Sequence, residues 1–497
     1  MRSTLISLAL LALLGSGCAA GAVDAGNLFG EDLDPVVGQT ILFVGTDAAT
    51  LRTNIYQVQP VLLRDDAATD EERNGAVLDA ASFTVRVLTD LQVGAEGPML
   101  DDGDTLLPGS APFAVPDRLG RRAAIIASGY DAQGISEVGR VAVIDLATLE
   151  QRLTPDVAGL TSVRFTWLGG HLVLEHRDPM SGALGLSTLE LDALPQDLTE
   201  LVVPGADEVQ LAGLLRDSDS FLVTATDADG ASFVATVDPW TQGVVTVVNP
   251  VAQALGPVRV SRSGDFFATT LTDPESGRRT VAVASLDGAG PAGWTSLTGE
   301  LSADCGDPSW NPARGPDDLQ QLAYACEDLD TGRPDILLWE GTGEPTTSTP
   351  PMETLTGGAQ PAVPDGSMDG LVLRSRLRWD PTGQVLLFGA SNGNDAVDDE
   401  AMTLLVLNLL DRRATAVFDG SDGVADLAHF AAASSEPVLL VWDRSASGFT
   451  SDSEGRHAIK LVSADPNGER VVRGVELGQA LRVDYPLFLG GNTLLYP

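Results

Sequence analysis

The feature that most constrains the fold of this chain is a repeat of about 50 residues. Each copy reads as a short strand, a tight turn, a second strand, a polar hairpin, a third strand and, after another turn, a fourth strand. The clearest copies run from Pro257 to Asp287 and from Ser375 to Phe418. A fixed period of this size indicates a fold built from one repeated supersecondary unit.

The turn between the first two strands marks each copy of the repeat. Successive markers are 50, 49, 45, 51, 68, 54 and 54 residues apart, and they are Gly120, Gly170, Asp219, Gly264, Gly315, Gly383, Pro437 and Gly491. The interval of 68 contains a segment rich in Pro, Gly and Thr, residues 341–370. We expect this segment to be an irregular insertion.

The segments between the turns predict strands. They are short apolar runs rich in Val, Leu, Phe and Thr, and no long stretch has helical periodicity. Four strands in about 50 residues is the size of a β-propeller blade, and a radial arrangement leaves only short, protected strand edges. The sequence therefore predicts an all-β chain, a β-propeller of four-stranded blades over residues 37–497.

The two ends of the repeat region predict how the ring closes. Residues 485–497 supply only the opening strands of the unit, whereas residues 40–60 enter at its second and third strands. We expect the C-terminal strand to complete the N-terminal blade. Counting that shared blade once gives eight blades, with seven as the alternative.

Two first-turn sequences resemble a known family of repeats. Arg262-Ser263-Gly264-Asp265 and Asp380-Pro381-Thr382-Gly383 are similar to the Ser-Pro-Asp-Gly turn of Tol-system and WD-type propellers. The resemblance extends over nearly all of residues 38–497. It implies the propeller fold and a channel mouth or face that receives a protein or peptide, although propellers host many unrelated activities.

The N-terminus has the anatomy of an export signal. Arg2 is followed by the apolar run Leu5–Leu14 and by Gly15, Ser16 and Gly17, directly before Cys18. The run is too short to span a bilayer. Residues 1–17 resemble a bacterial lipoprotein signal, which implies that Cys18 is lipidated and becomes the mature N-terminus.

The residues after Cys18 predict a tether and a location. Ala19 stands where the retention rule of enteric bacteria places Asp, which favours the outer membrane. Residues 18–36 are small, acidic and aperiodic, typical of a flexible linker. The alternative is ordinary cleavage after Ala22, which discards Cys18 and releases a secreted protein.

The charge of the chain excludes one class of partner. Seventy Asp and Glu against thirty Lys and Arg give a formal net charge of −40. Such a field repels nucleic acid and anionic lipid surfaces.

Cys305 and Cys326 would flank the first two strands of one repeat. In an exported protein we expect a disulfide between them, with buried free thiols as the alternative.

Few residues suggest catalysis or metal binding. Ser391 lies in a Gly-x-Ser-x-Gly pattern, but a hairpin context predicts a turn rather than the nucleophile of a hydrolase. His171 and His176 are five apart on one strand and should point to opposite faces; with His429 and His457 we interpret them as isolated surface or strand-end residues.

Two further residue groups have structural interpretations. Asp217-Ser218-Asp219 and Asp227-Ala228-Asp229-Gly230 are similar to fragments of calcium loops, but they also suit tight turns, which we prefer. Five tryptophans lie in or beside the predicted strands, which predicts packing between blades; they are Trp167, Trp310, Trp339, Trp379 and Trp442. Trp240 and Trp294 lie in turns.

The sequence thus predicts a non-catalytic, lipid-anchored propeller of the cell envelope that binds a protein or peptide or serves as a scaffold. It is expected to be a monomer without a cofactor or metal, and its binding residues are not identified. The alternative is an exported enzyme acting on peptides or polysaccharides. That alternative requires acidic, His or Arg side chains that converge at the channel mouth.

Overall fold

The structure of the protein is a computed structural model. It describes residues 33–34, 40–47, 53–58, 62–63, 86–87, 114–117, 120–130, 137–192, 198–285, 291–313, 320–330, 332, 334–341, 352–354, 371–373, 377–380, 382–392, 403–410, 413–418, 425–430, 438–443, 458–463, 472–475 and 481–489. The regular structure in these ranges is β-strand, without a helix. Accordingly, this part of the chain holds no helix long and apolar enough to cross a membrane.

The strands of the first half of the chain are β1 (Leu33–Asp34), β2 (Thr40–Asp47), β3 (Thr53–Val58), β4 (Leu62–Leu63), β5 (Arg86–Val87), β6 (Ala114–Pro116), β7 (Arg122–Tyr130), β8 (Glu137–Asp145), β9 (Gln151–Leu153), β10 (Val157–Ala158), β11 (Leu160–Phe165), β12 (His171–Arg177), β13 (Leu184–Glu190), β14 (Thr199–Glu200), β15 (Glu208–Leu214), β16 (Phe221–Thr226), β17 (Ser232–Asp238) and β18 (Gly243–Val251).

The strands of the second half are β19 (Ala254–Leu255), β20 (Arg259–Val260), β21 (Phe266–Thr272), β22 (Arg279–Ser285), β23 (Thr295–Ser296), β24 (Ala303–Trp310), β25 (Gln320–Asp328), β26 (Pro334–Gly341), β27 (Met352–Thr354), β28 (Leu371–Leu373), β29 (Arg378–Trp379), β30 (Val385–Asn392), β31 (Thr403–Asn408), β32 (Arg413–Phe418), β33 (Ala425–Phe430), β34 (Val438–Asp443), β35 (Ile459–Ser463), β36 (Val472–Val475) and β37 (Leu481–Leu489).

In the described ranges these strands form eight antiparallel sheets of four or five strands, besides a small pair of β1 with β4. Sheet 1 contains β37, β2, β3 and β5 in that order. Sheets 2 to 8 follow along the chain as β6–β10, β11–β14, β15–β18, β19–β23, β24–β27, β28–β32 and β33–β36. Sheets 2 to 8 each contain successive strands of one sequence repeat, as predicted. Sheet 1 combines strands from the two ends of the repeat region.

The core consists of layers between neighbouring sheets. Alternate side chains of β16 face opposite sides of sheet 4. Phe221 and Val223 pack against sheet 3, where they meet Val173 and Leu186. Leu222 packs against sheet 5, where it meets Phe267. A strand that is buried on both faces needs apolar residues at nearly every position. This requirement explains the continuous apolar runs in the sequence.

Four first turns share a common geometry, three of them at markers and the fourth at Gly169, directly before the marker Gly170. Gly120, Gly169, Gly264 and Gly383 have φ between 66° and 82°, and each donates its N–H to the carbonyl three residues earlier. Such positive φ values favour glycine because it has no Cβ. The markers Gly315, Pro437 and Gly491 lie outside the described residues.

Two boundaries differ from the sequence-based prediction. The segment 341–370, expected to be irregular, contains β27, which pairs with β26 through Leu337, Leu338 and Trp339. Leu33–Asp34, expected in the tether, pairs with β4. Both strands have only two or three residues, too few for a periodic signal. Residues 1–32, and with them Cys18, lie outside the described residues.

The two cysteines of sheet 6 are joined in a disulfide. Cys305 in β24 faces Cys326 in β25, with an S–S distance of 2.06 Å and a Cα–Cα distance of 4.1 Å. Cys305 lies inside its strand rather than before it, because β24 begins already at Ala303. The two residues belong to a buried cluster with Trp310.

Five hairpins share a turn that the sequence analysis did not identify. Their sequence is Asp-x-x-Ser/Thr-x, and they begin at Asp145, Asp178, Asp238, Asp273 and Asp328. The fifth residue of each turn has a positive φ, and these residues are Leu149, Gly182, Gln242, Gly277 and Gly332. The aspartate accepts hydrogen bonds from its own turn, for example from the N–H groups of residues 275 and 276 to Asp273.

Candidate functional site

In the described part of the chain, the first turns of sheets 2 to 7 lie next to one another in chain order, and we call this surface the first-turn face. In a four-stranded antiparallel unit, the turn after the first strand and the turn after the third strand lie at the same end of the sheet. The first turns of sheets 3, 4 and 5 comprise residues 166–170, 215–220 and 261–265. This face therefore gathers side chains that are about one repeat apart in the sequence.

Asp219 links the first turns of sheets 3 and 4. Its carboxylate accepts hydrogen bonds from Thr166 Oγ1 at 2.5 Å, the Gly170 N–H at 3.2 Å and Trp240 Nε1 at 3.2 Å. The side chain is 7% exposed. Asp219 thus holds neighbouring sheets together, and the interpretation as a turn residue rather than a calcium ligand agrees with these contacts.

Asp227, the other calcium candidate, caps its own hairpin. It accepts hydrogen bonds from the N–H groups of Asp229 and Ala231 at 3.0 and 2.8 Å. Asp217 occupies the first turn of sheet 4 with φ 58°. No group of three or more His, Cys, Asp or Glu side chains in the described ranges is arranged to hold a metal ion.

Other contacts between first turns repeat this pattern. Arg121 Nη2 donates to the Leu168 carbonyl at 2.9 Å, and Asn311 Nδ2 donates to the Gly383 carbonyl at 3.0 Å. Trp379 Nε1 donates to the Ser309 carbonyl at 2.9 Å. Each bond joins a sheet to the next one around the fold.

A small cleft of about 30 Å³ lies at the first turns of sheets 4 to 6. We call it the arginine cleft, because three of its eight lining residues are arginines: Arg216, Arg259, Val260, Arg262, Ser309, Trp310, Asn311 and Pro312. Arg216 follows β15, Arg259 lies in β20, and Arg262 lies in the first turn of sheet 5. A concentration of cations at one place contrasts with the net charge of −40 for the whole chain.

The surrounding structure orients the arginines. The guanidinium carbon of Arg216 lies 5.4 Å from the ring centroid of Trp167, a cation–π contact. Arg262 Nη1 donates to the Pro312 carbonyl at 2.6 Å. Trp310 Nε1 donates to the carbonyl of Arg259 at 3.0 Å and fixes the backbone there.

Two polar side chains complete the cleft, and they differ in their hydrogen bonding. Asn311 is fully engaged, since its amide donates to Gln321 and Gly383 and its oxygen accepts from Ala313. The Ser309 hydroxyl is buried and has no hydrogen-bond partner among the described residues. An unsatisfied buried hydroxyl is unusual in proteins and requires an explanation.

The sequence contained a signal for this cleft that the analysis missed. Trp167, Arg216, Arg262 and Pro312 each follow the first residue of a first turn, in four consecutive sheets. Residues at this position contact each other, since the Arg216 guanidinium lies over the Trp167 ring and the Arg262 side chain donates to the backbone carbonyl of Pro312. An alignment of the repeats by their first turns would have placed the two arginines side by side.

Among the described residues, the candidate histidines and Ser391 lie in three separate sheets. His171 and His176 both lie in β12; His176 Nε2 is 3.1 Å from the Ser187 hydroxyl, and Ser391 lies in β30, paired with β28. Ser391 thus lies within a strand and not in the turn expected for it, whereas a nucleophile elbow places the serine in a turn between a strand and a helix. His429 lies in β33, and His457 falls outside the described residues.

His171 is a strand-end residue, one of the two interpretations offered, because β12 begins there, but it does not lie at the surface. This side chain is 3% exposed, and its ring meets Trp240 edge to face at 4.3 Å between centroids. Burial lowers the pKa of His171 below its ordinary value, although the negative charge of Asp219 opposes the shift. Sequence alone did not reveal that a turn residue of sheet 4 covers this strand end.

The tryptophans pack mainly between and within sheets. Trp310 and Trp379 donate to the preceding sheet, and Trp339 meets Trp310 at 6.0 Å between centroids. Trp240 differs, since it is 58% exposed on the first-turn face.

Comparison with known proteins gives structural neighbours only. No protein-family model matches the chain, and the search of curated proteins found no match. Oligopeptidase B from Leishmania major aligns at 10% identity and a TM-score of 0.44, over 82% of this chain and 53% of that one.

Two other neighbours are similar to this chain over most of their own length. The β-propeller domain of the Trilobed protease from Pyrococcus furiosus aligns at 9% identity and a TM-score of 0.41, over 73% of this chain and 97% of that one. A putative TolB from Agrobacterium tumefaciens aligns at 9% identity and a TM-score of 0.31, over 64% and 88%. Similarity at this level carries no information about function, and the fold is defined by the sheets described above.

Proposed function

We propose that this chain is a β-propeller of the cell envelope that binds a protein or peptide in the arginine cleft. The observation that carries the proposal is the convergence of Arg216, Arg259 and Arg262 in one cleft of a strongly acidic chain. Arginine is enriched where protein surfaces bind partners, because its planar guanidinium forms several directed hydrogen bonds.

The proposed propeller has eight blades, one for each large sheet. Contacts between strands support a closed ring, since each sheet contacts the next one along the chain. In addition, β33 and β34 of sheet 8 contact β37 of sheet 1, and β37 pairs with β2 from Thr40 to Asp47. The C-terminal strand is thus the first strand of the first blade.

The composition of the cleft favours binding over catalysis. Its lining residues are arginine, valine, serine, tryptophan, asparagine and proline, none of which accepts a proton near neutral pH. A hydrolase or lyase needs a general base beside its nucleophile or substrate. The contacts described around Ser309 provide none, so the role proposed here is that of a monomeric binding or scaffold protein.

Attachment to the envelope belongs to the same proposal. The signal at residues 1–17 directs export, and lipidation of Cys18 anchors the chain to the outer membrane through the tether. A protein held in this way meets its partner at the membrane surface.

The proposal is tested by crosslinking in intact envelopes, followed by identification of captured proteins by mass spectrometry. Wild type is compared with the variant Arg216→Gln/Arg262→Gln. We expect one or more partners in the wild type that the variant loses. The control is Arg152→Gln, because Arg152 is exposed in β9 of sheet 2, pairs with Glu150 and does not line the cleft. An unchanged set of captured proteins in the double variant would refute binding in the cleft.

A further inference from the structure

We propose that the arginine cleft is a binding site for a carboxylate, held by the guanidinium groups and by a hydrogen bond from the Ser309 hydroxyl. The inference rests on the proposed function, in that it names the chemical group of the partner that enters the cleft. It draws on two independent observations: the three arginines and the buried, unpartnered hydroxyl.

The first step concerns charge. A guanidinium offers parallel N–H donors that match the two oxygens of a carboxylate. Arg216 and Arg262 approach the cleft from neighbouring first turns, and Arg259 comes from the strand between those turns. The acidic residues of the same turns, Asp217 and Asp265, are exposed and do not line the cleft.

The second step concerns the hydroxyl. Ser309 is 4% exposed, and its Oγ lacks a partner among the described residues although it lines the cleft. Its backbone is fixed, since the Ser309 carbonyl accepts from Trp379. The hydroxyl becomes satisfied when it donates to an acceptor in the cleft.

The third step selects a carboxylate over a phosphate. The chain carries a formal charge of −40, and its field repels a dianion more strongly than a monoanion. Val260, Trp310 and Pro312 supply apolar surface beside the arginines. A carboxylate attached to an apolar residue, as at the C-terminus of a peptide, matches both properties.

The experiment uses the purified full chain and two small probes, N-acetyl-Gly-Leu as the free acid and the same dipeptide as its amide. Binding is measured by isothermal titration calorimetry at low and high salt. We expect the acid to bind about tenfold more tightly than the amide, since hydrogen bonds to charged groups are the strong ones. Added salt should weaken binding of the acid. Equal affinity of acid and amide would overturn the proposal.

Variants locate the site. Arg262→Gln should weaken binding of the acid about tenfold, and Ser309→Ala about threefold or more. Arg216→Gln provides a second test in case loss of the Arg262 bond to Pro312 perturbs the fold, which thermal unfolding would detect. Arg152→Gln serves as the control and should bind like wild type. Acid binding that is unchanged in Ser309→Ala and in both arginine variants would contradict this site.

Two further probes distinguish the source of the anion. N-acetyl-Glu amide carries only a side-chain carboxylate, and inorganic phosphate carries none. Binding of either carboxylate probe supports the inference and identifies its source, whereas tighter binding of phosphate overturns it. If the acid binds but crosslinking finds no partner, the carboxylate site stands and the proposed function fails. If a partner is captured through the arginines while acid and amide bind equally, the proposed function stands and the carboxylate site fails.

Discussion

At the scale of single residues, aspartate carboxylates recur as acceptors for the N–H groups of turns. Asp178 and Asp273 each accept two backbone N–H groups and one serine hydroxyl, while Asp219 accepts donors from a neighbouring sheet. Asp-rich loops therefore serve the fold in these places. The sequence predicted their turn role from residue type, but not which carboxylate would leave its own turn, because that depends on the neighbouring sheet.

Asp219 should be important for stability. We expect Asp219→Ala to lower the free energy of unfolding by about 3 kcal/mol, because it leaves three donors without their acceptor in a mostly buried site. Urea denaturation measures the change. The control Asp265→Ala alters an exposed aspartate of the equivalent turn in sheet 5 and should change stability by no more than about 0.5 kcal/mol. Equal effects of the two substitutions would contradict the role of Asp219.

The hairpin aspartates should make stability depend on acidity. Hydrogen bonds from Ser276 and Glu275 hold the pKa of Asp273 below its ordinary value of 3.8, and similar bonds lower the pKa values of Asp145 and Asp178. A lowered folded-state pKa means that the stabilisation is complete above pH 3.8 and is lost as pH falls through the folded-state pKa.

Asp273→Asn tests this dependence. The variant should be less stable than wild type at pH 7, and the difference should shrink as pH falls below the ordinary carboxyl pKa. Urea denaturation at several pH values measures it, with Asp265→Asn as a matched exposed control. A difference that stays constant down to the lowest pH would show that the carboxylate charge at position 273 is not involved.

At the scale of strands and sheets, the sequence predicted most elements because alternation and turn residues act locally. The turns at Gly120, Gly264 and Gly383 lie where glycine marked them, since their positive φ leaves a direct trace in the sequence. The short strand β27 has no such trace, because its pairing with β26 is a tertiary contact. The turn residue Leu149 has a positive φ of 62°. Nothing in the sequence indicated this conformation, because leucine rarely adopts it.

The disulfide of sheet 6 should stabilise the protein through its unfolded state. The bond spans a sequence separation of 21 residues, and closing a loop of that length is worth about 3 kcal/mol. We expect Cys305→Ala/Cys326→Ala to lower the free energy of unfolding by about this amount in urea. Reductant should destabilise wild type similarly and leave the variant unchanged. Alkylation of native wild type without reductant would contradict the bond.

At the scale of the whole molecule, the repeat predicted the order of the sheets but not the site. Arg216 and Arg262 are distant in the chain and become neighbours only because successive first turns lie side by side. Their contacts depend on the angle between sheets, and local sequence patterns do not determine that angle. The same limit applies to His171, which sheet 4 covers.

The proposed anchor makes a prediction for the whole protein. Native protein should carry a lipid mass on Cys18 and fractionate with the membrane, while Cys18→Ala should lose membrane association. Intact mass and fractionation of both proteins provide the measurement. A native protein that is soluble and begins after Ala22 would refute the anchor and favour the secreted alternative.

The pairing of β37 with β2 has a consequence for the order of folding during synthesis. Thr40 pairs with Leu489, so 489 − 40 = 449 residues separate two neighbours in one sheet. Contacts of such long range form late, because the entropy of loop closure must be overcome first. The edge of β2 therefore stays open while the other sheets form, and a nascent chain would need protection from aggregation until β37 emerges.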